Sequence, residues 1–320
     1  MASVSRILVL KLGALGDFIQ ALGPMAAIRK HHPAAHITLL TTKPFENFAR
    51  DCGYFDDVWI DERPSLLNIK GWISLAEKFN TAEFTRVYDL QNNDRTRFYF
   101  RLFNALKRPE WVGTAPGASH RNTSPERTAG HAFEGHVQTL ALAGIKNITI
   151  DRLEWLDSPI SSFPLRKPYV LLVPGSAPQR PEKRWPAEKY GRLAVLLAQS
   201  GFQPVILGTQ SESEAATVIG RACPEALDLT AQTKLGQISA LARGAAAAIG
   251  NDTGPMHLIA ATSCPALVLF SRHSNPVKHA PKGENIQVVQ KENLPDLNAE
   301  DVLQHFKPRQ DPPRQSITTH

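Results

Sequence analysis

Short runs of consecutive apolar residues recur along the chain, separated by stretches whose apolar positions return every three or four residues. Ile7-Leu8-Val9-Leu10 is the first run. A loop with two glycines follows, Lys11-Leu12-Gly13-Ala14-Leu15-Gly16-Asp17. Residues 18–31 then carry a helical period that Pro33 ends, and Ile37-Thr38-Leu39-Leu40 resumes as a strand. Strand, loop, helix and strand make a β-α-β unit. Runs that are apolar on both faces and alternate with helices predict a parallel sheet covered on both sides. The pattern continues with strands at 57–60 and 86–90 and a short edge strand at 111–113. Helices are expected at 74–79, 95–106 and 133–143, the last closed by Gly144. Residues 114–130 are polar and read as a loop.

Residues 151–168 hold Pro159, Pro164, Pro168 and three serines, the composition of a linker. A second unit opens after it with Tyr169-Val170-Leu171-Leu172-Val173, the loop starting Pro174-Gly175-Ser176, and a helix to about Gln199 with Pro186 near its first turn. Strands are expected at 203–207, 245–250 and 265–270, and helices at 212–222, 235–242 and 257–261. The pattern therefore predicts an α/β protein of two Rossmann-like, doubly wound parallel-sheet domains, 1–155 and 156–308, with a polar, disordered tail at 309–320. Ligands of such sheets bind at the carboxyl ends of the strands, so two facing sheets are expected to form an interdomain cleft.

Composition narrows this only a little. A length of 320 residues suits two domains, and 42% apolar with 21% charged residues excludes a disordered, collagenous or coiled-coil chain. Lys and Arg number 36 against 30 acidic residues, so the surface is either simply solvated and basic or meets an anionic partner. No helix-turn-helix or RRM signature supports nucleic acid as that partner. Cys52, Cys223 and Cys264 are widely spaced and form no pair, which argues for reduced, buried thiols. The first apolar run is broken at Lys11, too early for a signal peptide, and no run approaches the roughly 20 residues of a membrane span. A cytoplasmic protein is expected, with peripheral membrane contact at most.

Three constellations can carry chemistry. In Gly13-Ala14-Leu15-Gly16-Asp17 the glycines permit a tight turn and close approach of a ligand, and the helix that follows points N–H groups at it. The spacing is neither a dinucleotide fingerprint nor a P-loop. Asp17 reads either as a helix N-cap or as a general base. The second constellation sets Ser176 beside Lys183-Arg184-Trp185-Pro186, a hydroxyl and two cations of the kind a diphosphate needs. The alternative is a loop anchored by Trp185 with solvated cations. In the third, Gly250-Asn251-Asp252-Thr253-Gly254-Pro255-Met256-His257, a buried strand ends in small and polar residues before a helix. Asp252 and Thr253 can cap that helix, and its first turn is an anion site or a capped turn that binds nothing. A zinc role for His257 is not expected, because it lacks a second ligand one turn on, where Ala261 stands.

Taken together, in this order and at these separations, the constellations resemble the bacterial heptosyltransferases of glycosyltransferase family nine. Residues 7–17 resemble the family's first strand and Gly-Asp loop, Lys183-Arg184-Trp185-Pro186 its Lys-x-Trp-Pro element, and Asn251-Asp252-Thr253-Gly254-Pro255-Met256-His257 its most specific motif. The resemblance runs from about residue 5 to 275 and is strongest in the second half. It implies a GT-B fold, an ADP-heptose donor held by the second domain, and a lipopolysaccharide inner-core acceptor. It implies inverting, single-displacement transfer without cofactor or metal. Asp17 then matches the catalytic base and Lys183 the residue near the donor phosphates. Asp252, Thr253 and Gly254 match donor contacts, with Ser176, Arg184 and His257 beside them. Gln210 and Glu212 fall where family members meet the donor nucleoside, although Gly208-Thr209-Gln210 departs from the family's Gly-Ala-Glu there.

Gly13, Gly16, Arg121 and Arg127 fall on the acceptor side. Arg95, Arg97, Arg101, Lys107, Arg108, Arg121 and Arg127 face only Glu110 and Glu126 between residues 95 and 127. That excess suits an anionic glycolipid or the cytoplasmic face of the inner membrane, or else a solvated helix and loop. Two other functions stay open: a GT-B glycosyltransferase with another donor or acceptor, and a catalytically silent nucleotide- or glycolipid-binding protein.

Overall fold

The computed structural model describes residues 4–177 and 179–309. Contacts between Cα atoms divide the chain into two compact units that meet in sequence at Asp151 and Arg152. The first unit holds strands β1 (Arg6–Leu10), β2 (His36–Thr41), β3 (Asp57–Ile60), β4 (Arg86–Asp89), β5 (Glu110–Gly113) and β6 (His120–Arg121). Its helices are α1 (Leu15–His31), α2 (Glu46–Asp51), α3 (Ile69–Thr81), α4 (Asp94–Leu102), α5 (Glu126–Ala129) and α6 (Ala132–Ala141). The six strands are all parallel, in the order β3-β2-β1-β4-β5-β6.

The second unit repeats the plan. Its strands are β7 (Tyr169–Val173), β8 (Gln203–Ile206), β9 (Leu227–Asp228), β10 (Ala247–Asn251), β11 (Ala266–Ser271) and β12 (Ile286–Lys291). Its helices are α7 (Ala187–Gln199), α8 (Ser213–Ala222), α9 (Leu235–Gly244), α10 (Gly254–Ala261), α11 (Pro276–His279) and α12 (Ala299–Gln304). The sheet order, β12-β11-β10-β7-β8-β9, is the same order read from the other edge, and again every pair is parallel. Each chain segment builds outward on one side of its first strand and then returns to the other side. The reversal falls between β1 and β4 in one sheet and between β7 and β10 in the other. Loops leaving the carboxyl ends of those two pairs part from each other and leave a crevice, which is where open α/β sheets bind ligands.

The apolar runs are strands because both of their faces are covered. Leu8, Leu10, Leu40 and Val87 pack with Phe79, Tyr99, Phe100 and Trp111 in the first unit. Val170, Leu172, Ile206, Ile249 and Leu269 pack with Trp185, Tyr190 and Leu193 in the second. The alanine-rich run ending in Gly250 is a central strand. Its small side chains let α10 return closely over it: a Cβ on Gly250 would stand 2.6 Å from Met256 Sδ and 2.8 Å from Val173 Cβ. The three cysteines are buried and unpaired. No helix among the described residues is long and apolar enough to cross a membrane.

Several boundaries differ from the sequence expectation. Residues 111–113 are not an edge strand, because the two-residue β6 pairs outside them. That strand and α5 lie in the stretch expected to be loop, and both are too short to show a period. Helix α1 starts at Leu15, so Gly16 and Asp17 sit in its first turn and Ala14 holds the N-cap. Asp17 is therefore not the cap. The short β9, α11 and α12 and the half-exposed β12 carry no strong pattern and were not expected. Of the tail expected to be disordered, residues 310–320 lie outside the described residues.

Gly250→Ala should lower the unfolding free energy by about 1–3 kcal/mol, the usual cost of forcing atoms into a packed core. Urea denaturation of the variant against wild type measures it.

Candidate functional site

At the crevice of the second unit the loop after β7 meets the end of β10. Asn251, the last residue of β10, is fully buried. Its side-chain amide donates to the carbonyls of Pro174 at 2.7 Å and Gly175 at 3.3 Å. Its Oδ1 accepts from the Trp185 backbone N–H at 3.2 Å and from the Tyr190 hydroxyl at 3.1 Å. Both ends of the 174–185 loop are thus tied to one residue. The Trp185 indole, also buried, donates to Leu297 O at 3.0 Å and fixes the loop from below.

The next residue carries charge. Asp252 Oδ2 accepts from Lys183 Nζ at 2.7 Å and from Ser274 Oγ at 2.5 Å, and Lys183 Nζ lies 3.2 Å from the same Ser274 Oγ. Lys183 keeps 20% of its side chain exposed and Asp252 8%, so the cation is the accessible member of the pair. Asp252 therefore orients Lys183 and does not cap α10. Thr253 stands at the N-cap of α10 with no side-chain cap bond, and Gly254 and Pro255 form the first turn. First-turn N–H groups have no partner inside the helix. Arg184 Nε donates to Ser176 Oγ at 3.2 Å and its terminal nitrogen to Ser176 O at 3.3 Å. Ser176, Lys183, Arg184, Asp252, Thr253 and Gly254 all lie on the two loops that flank the crevice.

On the far side of β7, Glu212 is buried over two glycines. A Cβ on Gly175 would meet its Cδ at 2.8 Å, and one on Gly208 its Cβ at 2.7 Å. Its carboxylate accepts from Thr209 N at 2.8 Å, Thr209 Oγ1 at 2.8 Å and Ser211 Oγ at 2.6 Å. Gln210 is exposed on the same turn. His257 is buried in α10.

The first unit places Asp17 exposed in the first turn of α1. Gly13 has φ +116°, and a Cβ there would stand 2.5 Å from the Phe45 ring, which itself stacks on Phe18. Only glycine suits that position. Beneath this loop lies a cluster that sequence reasoning missed. Lys11 is buried, donates to Leu90 O at 3.4 Å and feels the charges of Asp17 and Asp89. Burial pushes the Asp89 carboxyl up to about 6, against the backbone N–H groups of Asn92 and Gln91 and the Lys11 ammonium. Burial pushes His136 down to about 3, and the cations of Lys11, Arg127 and His131 act in the same direction.

The seven basic residues between 95 and 127 do not form one free face. Arg95 is tied to Tyr99 and Pro64, and Arg97 to Asp94 and Thr114. Arg108 lies over the Phe100 ring, and Arg127 is half-buried near Arg97 and Asp89. Arg101, Lys107 and Arg121 remain exposed, Arg121 on the outermost strand. Of the residues expected on the acceptor side, Gly13 and Gly16 lie on the loop and first turn after β1, Arg127 lies near Asp89 at the end of β4, and Arg121 is two strands away on β6. Ser274 was also missed. Its signal is the polar run Ser271-Arg272-His273-Ser274-Asn275 at the carboxyl end of an apolar strand. Among the described residues no group of three or more His, Cys, Asp or Glu side chains is placed to hold a metal ion.

Fold and crevice define a class: a two-unit parallel α/β protein whose second sheet carries, at its switch point, a loop pair bearing Lys183, Arg184 and Asp252. Solved structures share this fold. A family 9 glycosyl transferase from Veillonella parvula aligns with a TM-score of 0.74 at 22% identity over 94% of this chain and 95% of its own. Escherichia coli heptosyltransferase WaaC with ADP-2-deoxy-2-fluoro heptose aligns with a TM-score of 0.74 at 20% identity over 94% and 98%. The fold is GT-B. The model of "Glycosyltransferase family 9 (heptosyltransferase)" matches residues 145–307, just over half of the chain, and the chain belongs to that family. Lipooligosaccharide heptosyltransferase 2 of Haemophilus influenzae is 31% identical over 109 residues, a match spanning 32% of this chain and only 31% of that relative.

The His136 shift has a consequence for stability. A folded-state value near 3, against 6.5 unfolded, means that the unfolded chain binds more protons between those values, so stability falls as pH falls through that window. Between pH 7 and 4.5, wild type should lose about 2.5 kcal/mol more than His136→Gln. Urea unfolding of both proteins at the two pH values reads the difference.

Proposed function

We infer that this protein transfers a heptose from ADP-heptose to an anionic inner-core acceptor of lipopolysaccharide, at the cytoplasmic face of the inner membrane. The carrying observation is the accessible Lys183 ammonium, held by Asp252 and Ser274 beside the start of α10. A diphosphate leaving group gathers negative charge as its bond to the sugar breaks. Lys183, Arg184 and the first-turn N–H groups of α10 are preorganised donors for that charge, and they supply the neutralisation a metal ion would otherwise provide.

In this mechanism Asp17 takes the proton from the acceptor hydroxyl as that oxygen attacks the anomeric carbon from the face opposite the diphosphate. The configuration inverts in one displacement. Asp17 is suited to this because it is exposed, whereas the nearby Asp89 is sealed in the core. Ser176 and Glu212 line the donor side, Glu212 where a ribose would meet a carboxylate. Gln210, His257 and Thr253 flank them. Gly13, Gly16 and Arg127 border the acceptor, and Arg121 lies further out.

A different nucleotide is the second reading, favoured by Thr209 and Gln210 on the nucleoside-side turn. Thermal shift decides between bases. ADP should raise the melting temperature more than UDP or GDP at equal concentration, since only a bound ligand stabilises; a preference for UDP or GDP would transfer the assignment to that donor.

Transfer from ADP-heptose to a heptose-deficient core acceptor tests the reaction itself. Asp17→Asn should lower kcat by roughly 100-fold or more, the scale of a general base, with ADP binding unchanged. Lys183→Ala should lower kcat and weaken ADP binding together. Wild-type turnover in a folded Asp17→Asn protein would sink the base assignment.

A further inference from the structure

Among the described residues ten large apolar side chains stand exposed, and four of them, Leu66, Leu67, Ile69 and Ile73, fall within eight consecutive residues. Leu66 is 90% exposed and Leu67 92%, so neither packs against its own unit. Lone exposed leucines are ordinary, but a run of them at one tip is not. Ring contact between Trp72 and Phe98, at 5.0 Å, carries the surface across to α4, where Phe98 is exposed as well.

The tip is built, not loose. The Trp72 indole donates to Ser65 O at 2.9 Å, and Arg95 donates to Pro64 O at 3.2 Å while lying over the Trp72 ring. Asn68 Oδ1 caps α3 by accepting from Gly71 N at 3.0 Å, and the N–H groups of Asn68 and Ile69 bond to Ser65 O and Leu67 O. These bonds hold in place the segment that presents the leucines. Cations prevail around it: Lys70 sits inside the tip, Arg63 just before it, and Arg101 lies one turn from Phe98, all exposed, against the exposed Glu62 beside Arg63.

The tip also stands at the functional edge of its sheet. It leaves the carboxyl end of β3, and Arg63 donates to Leu12 O at 3.2 Å, one residue before Gly13 of the Asp17 loop. We propose that Leu66, Leu67, Ile69 and Ile73, with Phe98 beside them, insert into the interface of an anionic phospholipid bilayer and bring the Asp17 loop to the headgroup level. A narrow apolar tip with lysine and arginine around it matches an interfacial anchor, which buries its apolar side chains roughly 5–10 Å into the boundary while cations meet the headgroups. A protein partner suits it less: interface cores are depleted in lysine, and Lys70 is at the centre of this surface. The proposal takes its purpose from the transferase reading, but its test does not depend on it.

Flotation of the purified full chain with vesicles decides it. Wild type should float with vesicles holding roughly one-third anionic phospholipid and much less with neutral ones. Leu66→Glu/Leu67→Glu should cut the bound fraction by about tenfold or more, with an unchanged melting temperature and far-UV spectrum. It should keep wild-type turnover on a water-soluble, lipid-free core acceptor. Equal flotation of variant and wild type overturns the proposal. So does absence of flotation for wild type, or a wild-type dimer in sedimentation that the variant converts to monomer, which would make the surface a self-association site. If neither protein shows turnover while only wild type floats, the transferase reading falls and the anchor stands.

Discussion

Asn251 is the residue on which the second unit's site depends. One buried side-chain amide satisfies the carbonyls of Pro174 and Gly175, and its oxygen satisfies the Trp185 N–H and the Tyr190 hydroxyl. Buried polar groups must find partners, and here each partner lies on the element whose position matters. The loop carrying Ser176, Lys183 and Arg184 is held to the end of β10, and the next residue, Asp252, is placed to receive Lys183. An apolar residue of the same size would fill the space but strip the Pro174 and Gly175 carbonyls and the Trp185 N–H of these bonds, leaving the Tyr190 hydroxyl only Val173 O. The placement of Lys183 follows from a packing constraint one residue away from the charges themselves.

The same sheet order occurs twice, and each switch point holds a lysine and an aspartate, in direct contact only in the second. The chemistry of the two pairs diverges through burial. Lys183 and Asp252 stay within reach of solvent, so the ammonium is available to a ligand. Lys11 and Asp89 are sealed beneath the first unit's loop, and burial lowers the basicity of the lysine while raising the carboxyl's pKa to about 6. Both buried groups lie beneath the loop, and Asp17 stands exposed in the first turn of the helix that follows it. The position of one turn relative to the core thus separates a buried carboxylate from a solvent-accessible one.

Membership of glycosyltransferase family 9 rests on residues 145–307. That span holds the Asn251 hub, the Lys183 pair and the start of α10. The first unit shares the fold of solved family members but carries its own surface, and its exposed apolar tip belongs to that part of the chain.

The sequence by itself determined the alternation of apolar runs and helices, and with it two parallel sheets and the loops at their carboxyl ends. It also determined the three constellations, because glycines, cations and a proline at a helix start declare themselves within a few residues. Short and half-exposed elements such as β6, β9 and β12 stayed hidden, since two residues show no period. Only the tertiary structure decided which of the seven basic residues from 95 to 127 are free, because Arg95, Arg97 and Arg108 are claimed by partners up to 31 residues away. Ser274 joins Lys183 across 91 residues and Asn251 binds Pro174 across 77, contacts that no local pattern announces. No local pattern announces the exposure of Leu66 and Leu67. Exposure is a property of what fails to pack against a residue, and that is settled only when the whole unit has folded.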